Sequence, residues 1–301
     1  MREWLEYAAA WLALKLLGLL PRPVARAVGA WLAALGYFLR PPLRRAAISN
    51  LRVAFPEWSD AQRLRTIRQL VKHLGWMAGE FSQFPRYTRD NIEQIVVLDG
   101  FENFAAAQRR GKGVLFLTGH MGAWELAPFA HALYGHPLHF LVRPIDNPRV
   151  DALVNRYRCL SGNRPIEKNN SARAVLKILG EASTVGILAD QNTSLEEGVF
   201  VDFFGVPAST TTGVARLALH TGAAVVPGYI FWDTAVGKYR LRFEPAIELA
   251  CTGDTARDIR ENTARFTRVI EDYARRYPDQ WLWVHRRWKT RPLGEDPVRA
   301  L

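Results

Sequence analysis

The chain has little cysteine and lacks the motifs by which several common enzyme classes are recognised. Its 301 residues include only two cysteines, Cys159 and Cys251, which are too few for a disulfide framework or for a zinc site built from cysteine alone. Gly-x-Ser-x-Gly, Walker A, His-Glu-x-x-His and Gly-x-Gly-x-x-Gly motifs are all absent. Serine hydrolases, P-loop enzymes, zinc proteases and dinucleotide-dependent enzymes are therefore disfavoured.

Acidic residues are also under-represented. The chain has 29 Asp and Glu against 40 Lys and Arg, which gives a formal net charge of +11. A protein this basic favours a polyanion, an anionic membrane surface or a phosphorylated substrate as its partner. No zinc-finger or RNA-recognition signature accompanies the charge, so a nucleic-acid partner is not expected. The apolar content of 49% is typical of a globular chain.

An uninterrupted membrane-spanning run is missing from the N-terminal region, although two apolar stretches are present. Residues 4–20 are interrupted by Glu6 and Lys15, and residues 24–39 by Arg26. A Pro-Arg-Pro sequence between them breaks any continuous helix. A span needs about 20 apolar residues, and a charge near its centre is costly.

The first 45 residues are predicted to form a membrane-associating segment, with residues 46–301 as the second domain. Residues 1–45 carry seven basic and two acidic side chains, or 7 − 2 = +5. Two short apolar helices flanked by arginine and tryptophan are typical of an anchor that lies on an anionic leaflet. A cleaved signal peptide, a single span in which Lys15 reaches the interface, and an amphipathic helix packed on the core are the alternatives.

The rest of the chain predicts an α/β fold. Residues 113–118 and 184–189 are nearly continuous apolar runs, which are typical of strands buried on both faces. A helix is expected over residues 59–84. Residues 229–232 and 239–243 are expected to pair as antiparallel strands at an edge. Strands that alternate with helices predict a mostly parallel central sheet with helices on both faces.

His120 and Glu125 are the first candidate site residues. They follow the strand over 113–118 and open a helix expected over 121–133, at the sheet edge where such folds bind ligands. If His120 lies on the turn and Glu125 in the first helical turn, the carboxylate can fix the imidazole tautomer while the other ring nitrogen accepts a proton. Spacing alone favours a simpler interpretation, in which His120 caps or packs and Glu125 is stabilised by the helix dipole.

These motifs resemble those of a known enzyme family. His120-x-x-x-x-Glu125 resembles the first block of the glycerolipid acyltransferase superfamily, and three later segments resemble its other blocks. A closer similarity is to the bacterial lipid A biosynthesis (late) acyltransferase family. The segments that carry it, in chain order, are residues 143–148, 189–191, 203–205, 210–213 and 280–292. The ordered set identifies the chain as a member of that family.

The resemblance implies an O-acyltransferase with the superfamily's fold. Such an enzyme moves a fatty acyl chain from an acyl thioester, acyl-ACP or acyl-CoA, to a hydroxyl of a lipid A precursor or a related glycolipid. No cofactor or metal is implied beyond that co-substrate. His120 would be the general base, oriented by Glu125, and no acyl-enzyme would form.

The resemblance also implies a set of substrate-binding residues. Arg143 and Arg158 would bind phosphate, either on the acceptor or on the pantetheine arm of the donor. Structural or surface ion pairs are the alternative role for both arginines. Asp190, at the end of a buried strand, could hold an arginine or the imidazole, or cap a helix. Gln191, beside it, is also assigned to substrate binding.

The implied partners are an acyl carrier protein or CoA thioester, a glycolipid acceptor and an anionic membrane surface. The implied location is the cytoplasmic face of the bacterial inner membrane, with the N-terminal segment as anchor. Alternatives are acylation of another lyso-lipid or of a phosphatidylinositol mannoside, a thioesterase in which His120 activates water, and a non-catalytic lipid-binding membrane protein with the same fold. An apolar groove shared by His120 and Glu125 would favour the transferase.

Overall fold

Four α-helices precede the first strand in the computed structural model, which describes residues 1–167, 171–292 and 294. They are α1 (Arg2–Leu19), α2 (Arg22–Leu39), α3 (Pro41–Ala54) and α4 (Asp60–Gln83). Pro23 lies in the first turn of α2, where its missing N–H costs nothing. Ser59 and Gln62 form a capping box that starts α4.

Strands and helices then alternate along the chain. The strands are β1 (Val96–Asp99), β2 (Val114–Thr118), β3 (His139–Val142), β4 (Arg164–Glu167), β5 (Thr184–Leu188), β6 (Gly198–Phe203), β7 (Val206–Thr211), β8 (Ala224–Asp233) and β9 (Lys238–Phe243). The helices are α5 (Phe101–Gln108), α6 (Leu126–Leu133), α7 (Pro148–Arg158), α8 (Ser171–Gly180), α9 (Gly213–Thr221) and α10 (Thr255–Arg276).

The central sheet has seven strands in the order β1-β9-β8-β2-β5-β3-β4. The five strands from β8 to β4 are parallel, and β9 and β1 run in the opposite direction. The predicted mostly parallel sheet flanked by helices is therefore confirmed. This order brings the carboxyl ends of β2 and β5 together near the middle of the sheet.

The two faces of the sheet are covered by different helices, as the alternation along β2 illustrates. Leu115 and Leu117 contribute to one apolar cluster, which includes residues of α4, α8 and α10. Val114 and Phe116 contribute to a second cluster with α5 and α6. Because successive side chains of a strand point to opposite faces, a strand buried on both faces must be apolar throughout.

Three details differ from the sequence-based expectation. Residues 229–232 belong to the long strand β8, and its antiparallel partner β9 is not at the edge because β1 pairs along it. Strand β4, which is short and contains Pro165, has no apolar run by which to predict it. The separate hairpin β6–β7 was likewise not predicted, and its turn places Phe204 at a φ of 58°.

The helix expected from residue 121 begins five residues later, at Leu126. Gly122 has a φ of 54°, which a helix cannot accommodate. Its N–H donates to the carbonyl of Gln280 at 2.8 Å instead of to a helical partner. Residues 119–125 therefore form a loop at the carboxyl edge of the sheet.

Helices α2 and α4 cross at a very short distance. A side chain on Gly29 or Gly75 would collide with the backbone of the other helix, and one on Gly79 would lie 2.9 Å from backbone atoms of α2. Small residues at a crossing allow two helices to approach this closely. The domain boundary predicted at residue 45 lies inside α3, and it stays a prediction.

Charged side chains are buried beside this crossing. Glu80 has no exposed surface and forms ion pairs with Arg22 at 2.8 Å and Arg26 at 3.7 Å. Tyr87 donates to the same carboxylate, and the Arg26 guanidinium lies 3.6 Å from the centre of the Trp76 ring. Arg22 and Arg26 are two of the seven basic residues from which binding to an anionic leaflet is predicted. Both instead form an ion pair with a buried carboxylate of the protein itself.

The single-span alternative considered for the N-terminal region finds no support in the structure. Within residues 1–167, 171–292 and 294, no helix combines the length and the apolar character needed to cross a membrane.

Candidate active site

His120 lies on the loop that follows β2, and backbone hydrogen bonds to a distant segment fix this loop. The His120 carbonyl accepts from the Leu282 N–H at 3.1 Å, and Met121 forms an isolated antiparallel bridge with Trp281. Gly119 is required for close approach, because a Cβ there would lie 3.1 Å from the carboxyl group of Asp190. The loop therefore presents His120 to the end of the neighbouring strand.

Asp190 is the hydrogen-bonding partner of the His120 imidazole. It lies two residues beyond β5, the parallel neighbour of β2, so the two carboxyl ends bring the side chains together. His120 Nδ1 is 2.7 Å from Asp190 Oδ1, and the His120 backbone N–H donates to Asp190 Oδ2 at 2.8 Å. The Asp190 side chain is 1% exposed and that of His120 is 18% exposed. Of the roles predicted for Asp190, the structure supports the contact with the imidazole.

His120 and Asp190 shift each other's pKa. Burial lowers the pKa of His120, but the charge and hydrogen bond of Asp190, with the charge of Glu125, outweigh burial and raise it above its ordinary value. Burial raises the pKa of Asp190, but the charge and hydrogen bonds of His120 and the charge of Arg287 lower it overall. An ionised Asp190 makes Nδ1 the protonated nitrogen of a neutral imidazole and leaves Nε2 as the basic one.

Gln191 lies against that basic nitrogen. Its Nε2 is 3.2 Å from His120 Nε2, which agrees with an amide N–H donating to an unprotonated ring nitrogen. The predicted site residue Gln191 therefore contacts the imidazole of His120, and its role in substrate binding stays a prediction.

Glu125 and Arg158 form a second pair at the site. Arg158 donates from Nε to Glu125 Oε2 at 2.8 Å and from Nη2 to Oε1 at 2.5 Å, which is the bidentate geometry of a strong ion pair. The hydrogen bond from the imidazole goes to Asp190, and none to Glu125 is formed among the described residues. The negative charge of Glu125 raises the pKa of His120. The role of Glu125 as the group that orients the imidazole stays a prediction.

Arg143 is placed differently from Arg158. It is exposed, one residue after β3, and the described part of the chain offers it no hydrogen bond or ion pair. The preceding residue, Val142, lines a pocket described next. The two predicted phosphate-binding arginines therefore differ, since one is engaged by Glu125 and the other is free.

An apolar pocket opens beside Glu125 and descends between α6 and the sheet. The end of the pocket at the carboxyl edge of the sheet, here called its mouth, is lined by the last residues of β2, β3 and β5, and the other lining residues include some from the middle of the strands and from α6. The residues that line it are Phe116, Thr118, Trp124, Glu125, Ala127, Pro128, His131, Leu138, Phe140, Leu141, Val142, Arg158, Gly186 and Leu188. His120 adjoins the pocket through Trp124, whose ring centre is 5.1 Å from that of the imidazole.

Several residues of this region were not assigned to a site from the sequence. His131 is buried in the pocket wall; burial, with the charge of His136, lowers its pKa to about 3, so it is neutral at physiological pH. Trp281 donates from its indole nitrogen to Asp190 Oδ2 at 3.0 Å. Trp281 lies in the segment 280–292, which is one of the segments that resemble the family, so the sequence did point to it. His131 had no such signal.

We expect Asp190→Asn to lower the pKa of His120. The amide removes the negative charge that stabilises the imidazolium, while burial continues to oppose it. An NMR titration of the imidazole C–H signals measures this directly, and the wild-type midpoint should lie above about 6.5. Asp272→Asn, an exposed carboxylate on α10, is the matched control. An unchanged His120 pKa in Asp190→Asn would contradict the assigned pair.

Comparisons with known proteins identify the family. The sequence profile of the bacterial lipid A biosynthesis acyltransferases matches residues 1–290. The chain is 29% identical to the lipid A biosynthesis palmitoleoyltransferase of Escherichia coli (strain K12), over 99% of this chain and 97% of that protein. It is 30% identical to the lauroyltransferase of the same strain, over 97% and 92%. It is 25% identical to the myristoyltransferase, over 88% and 81%. The family predicted from the motifs is confirmed, and the chain is an acyltransferase of the bacterial lipid A biosynthesis acyltransferase family.

Proposed function

We propose that the chain transfers a fatty acyl group from an acyl thioester to a hydroxyl of a lipid A precursor, with His120 as general base. The observation that carries this proposal is the 2.7 Å contact between His120 Nδ1 and Asp190, next to Trp124, which lines an apolar pocket. The names of the relatives support the lipid A precursor as acceptor.

The proposed chemistry is direct transfer. The acceptor hydroxyl displaces the Gln191 amide from His120 Nε2 and gives its proton to that nitrogen as its oxygen attacks the thioester carbonyl. The resulting imidazolium is stabilised by Asp190. When the C–S bond breaks, the imidazolium returns the proton to the leaving thiolate. An ester, a free thiol and a neutral imidazole result.

The pocket is proposed to hold the acyl chain. Its walls are mainly apolar, and its mouth lies beside the base, so a chain inside would present its thioester carbon to the loop of His120. Gly186 lines the pocket from the middle of β5, and a Cβ there would make only ordinary contacts, at 3.6 Å and beyond. A side chain at that position would therefore take up space that the acyl chain needs.

The two arginines are proposed to have different tasks. Arg158 uses Nε and Nη2 on Glu125 and Nη1 on Asn155, so a structural ion pair at the mouth of the pocket accounts for its donors. Arg143 is exposed beside the same mouth and is the better candidate for a phosphate on the acceptor or on the donor.

The donor is proposed to be acyl-ACP or acyl-CoA, since either presents the thioester that the mechanism requires. A thioesterase would use the same base on water, and assaying free fatty acid beside the acylated product separates the two. A non-catalytic lipid-binding protein would have no use for an imidazole held by a buried carboxylate at a pocket mouth. Offering a lyso-phospholipid or a phosphatidylinositol mannoside in place of the lipid A precursor tests the other acceptors.

Helices α1 and α2 are proposed to hold the enzyme on the membrane. Most of the large exposed apolar side chains in the described part of the chain lie on them, including Trp11, Leu12 and Leu16 on α1 and Trp31 and Phe38 on α2. Apolar and aromatic side chains with basic neighbours suit a helix that lies at a lipid interface. The proposed location is the cytoplasmic face of the inner membrane, where a soluble donor and a membrane-bound acceptor can both reach the pocket.

His120→Ala should reduce acyl transfer to a lipid A precursor by about 10²–10⁴-fold, because the general base is lost. Product formation from acyl-ACP or acyl-CoA, measured by mass spectrometry, gives the rate. His220→Ala, an exposed histidine on α9, should transfer normally.

The same experiment tests direct transfer. Wild-type enzyme incubated with donor alone should keep its unmodified intact mass, because no protein nucleophile takes the acyl group. Near-normal transfer by His120→Ala, or a stable acyl adduct on the wild type, would refute the mechanism.

Gly186→Val should shift the enzyme toward shorter acyl donors. The added methyl groups occupy the pocket, and one misplaced methylene in an apolar site is worth roughly 10–200-fold in selectivity. The measurement is kcat/KM over a series of saturated acyl thioesters, expressed as the ratio of the longest to the shortest donor. This ratio corrects for any general loss of activity, and an unchanged ratio would argue against acyl binding in this pocket.

Replacing Trp11, Leu12 and Leu16 together by Gln should move the protein from the membrane fraction to the soluble fraction. The change removes apolar contact with lipid while leaving the α2–α4 crossing intact, whereas deletion of residues 1–45 would cut α3. Leu64→Gln, an exposed leucine on α4, is the control. High salt should release the wild type only partly, because it screens charge and not apolar burial. Complete release of the wild type by salt would contradict this anchor.

A further inference from the structure

The segment Gln280–Thr290, here called the C-terminal strap, ties the elements of the site together. Its first residues pair with the His120 loop through two backbone hydrogen bonds, Gly122 N–H to Gln280 at 2.8 Å and Leu282 N–H to His120 at 3.1 Å. The Gln280 side chain also bonds both the N–H and the carbonyl of Trp232, in β8. The strap therefore crosses the carboxyl ends of β2 and β8.

The strap continues over the next strands. His285 Nε2 accepts from the Asn192 N–H at 3.0 Å, and the Asn192 side chain exchanges two hydrogen bonds with Thr290. The buried Arg287 donates to the Ser209 carbonyl at 2.6 Å, which ties the strap to β7. The residues after β5 are thereby held by the same segment that holds the His120 loop.

One contact of the strap reaches the catalytic pair. Trp281, which is 1% exposed, donates from Nε1 to Asp190 Oδ2 at 3.0 Å. The same oxygen accepts the His120 backbone N–H, while Oδ1 accepts from the imidazole. Three N–H groups therefore surround the carboxylate, and Trp281 is the one supplied from outside the His120 loop.

We propose that Trp281 is a positioning residue for the acyl-transfer reaction, which holds the Asp190 carboxylate in register with the imidazole of His120. An indole N–H is a donor only, and a hydrogen bond to an ionised carboxylate is stronger than one between neutral groups. The effect on catalysis rests on the proposed function, whereas the effect on His120 does not.

Removal of the Trp281 N–H should change the pKa of His120. The Trp281 N–H withdraws negative charge toward Oδ2, so its removal leaves more charge on Oδ1, next to the imidazole. More charge there stabilises the imidazolium, and the pKa of His120 should rise. A residue that only packs would leave the pKa in place.

Other charged and titratable groups lie near His120 and Asp190, and a test of Trp281 must leave them unchanged. Glu125 faces His120 from the start of α6, and Arg287 and His285 face the pair from the strap itself. Tyr229 faces Asp190 from β8, and burial and that carboxylate hold its pKa well above the ordinary range. None of them is altered by a change confined to the indole nitrogen.

The test is Trp281→Phe in the full-length protein in detergent, with Trp283→Phe as matched control. Trp283 is also fully buried in the strap, but its Nε1 donates to the Pro278 carbonyl at 2.6 Å and not to the pair. We expect Trp281→Phe to raise the NMR midpoint of His120 by about 0.5 or more and to lower kcat by roughly 10-fold with little change in KM. Trp283→Phe should leave the midpoint in place.

A second variant covers the case in which Trp281→Phe does not fold. Incorporation of 3-benzothienylalanine at position 281 keeps the size of the ring system and removes only the N–H. An unshifted His120 midpoint in both variants would overturn the proposal. Absence of acyl transfer by the wild type would instead refute the proposed function, and the titration would still decide the role of Trp281.

Discussion

The buried carboxylate of Asp190 is the constraint on which the arrangement of the site depends. An ionised group without partners in a protein interior costs several kcal/mol, so its surroundings must supply hydrogen bonds and positive charge. Here the donors come from His120 and from Trp281, and the charge comes from the imidazole and from Arg287. These contacts join β2, β5 and the strap at one buried charge, so a shift of one element would weaken a hydrogen bond to that charge. The contacts that stabilise the buried charge thus also fix the geometry of the candidate site.

Sequence patterns predicted the parts of this arrangement that depend on local order. The strands over 113–118 and 184–189 are nearly continuous apolar runs, so their burial on both faces of the sheet followed directly. The helix over 59–84 also agrees closely with α4. His120 was a candidate because it follows such a strand and because His120-x-x-x-x-Glu125 resembles the first block of the acyltransferase superfamily.

Local sequence patterns could not predict the contacts between residues far apart in the chain. Asp190 is 70 residues from His120 and Trp281 is 91 residues from Asp190, so no spacing rule joins them. Asp190 was a candidate because it ends a strand, but only strand order decides that β5 lies beside β2. The hairpin β6–β7 was missed because part of its sequence is polar, although the strap and α10 bury part of it.

The two carboxylates near His120 differ in what they can contribute, and Arg158 explains the difference. Asp190 bonds the imidazole directly and is therefore free to stabilise its protonated form. Glu125 also raises the pKa of His120 through its charge, but its two carboxylate oxygens accept from Arg158 and not from the imidazole. A general base works best when its pKa lies near the working pH. For the proposed general base, Asp190 thus orients the imidazole and raises its pKa, while Arg158 holds Glu125 in a separate ion pair.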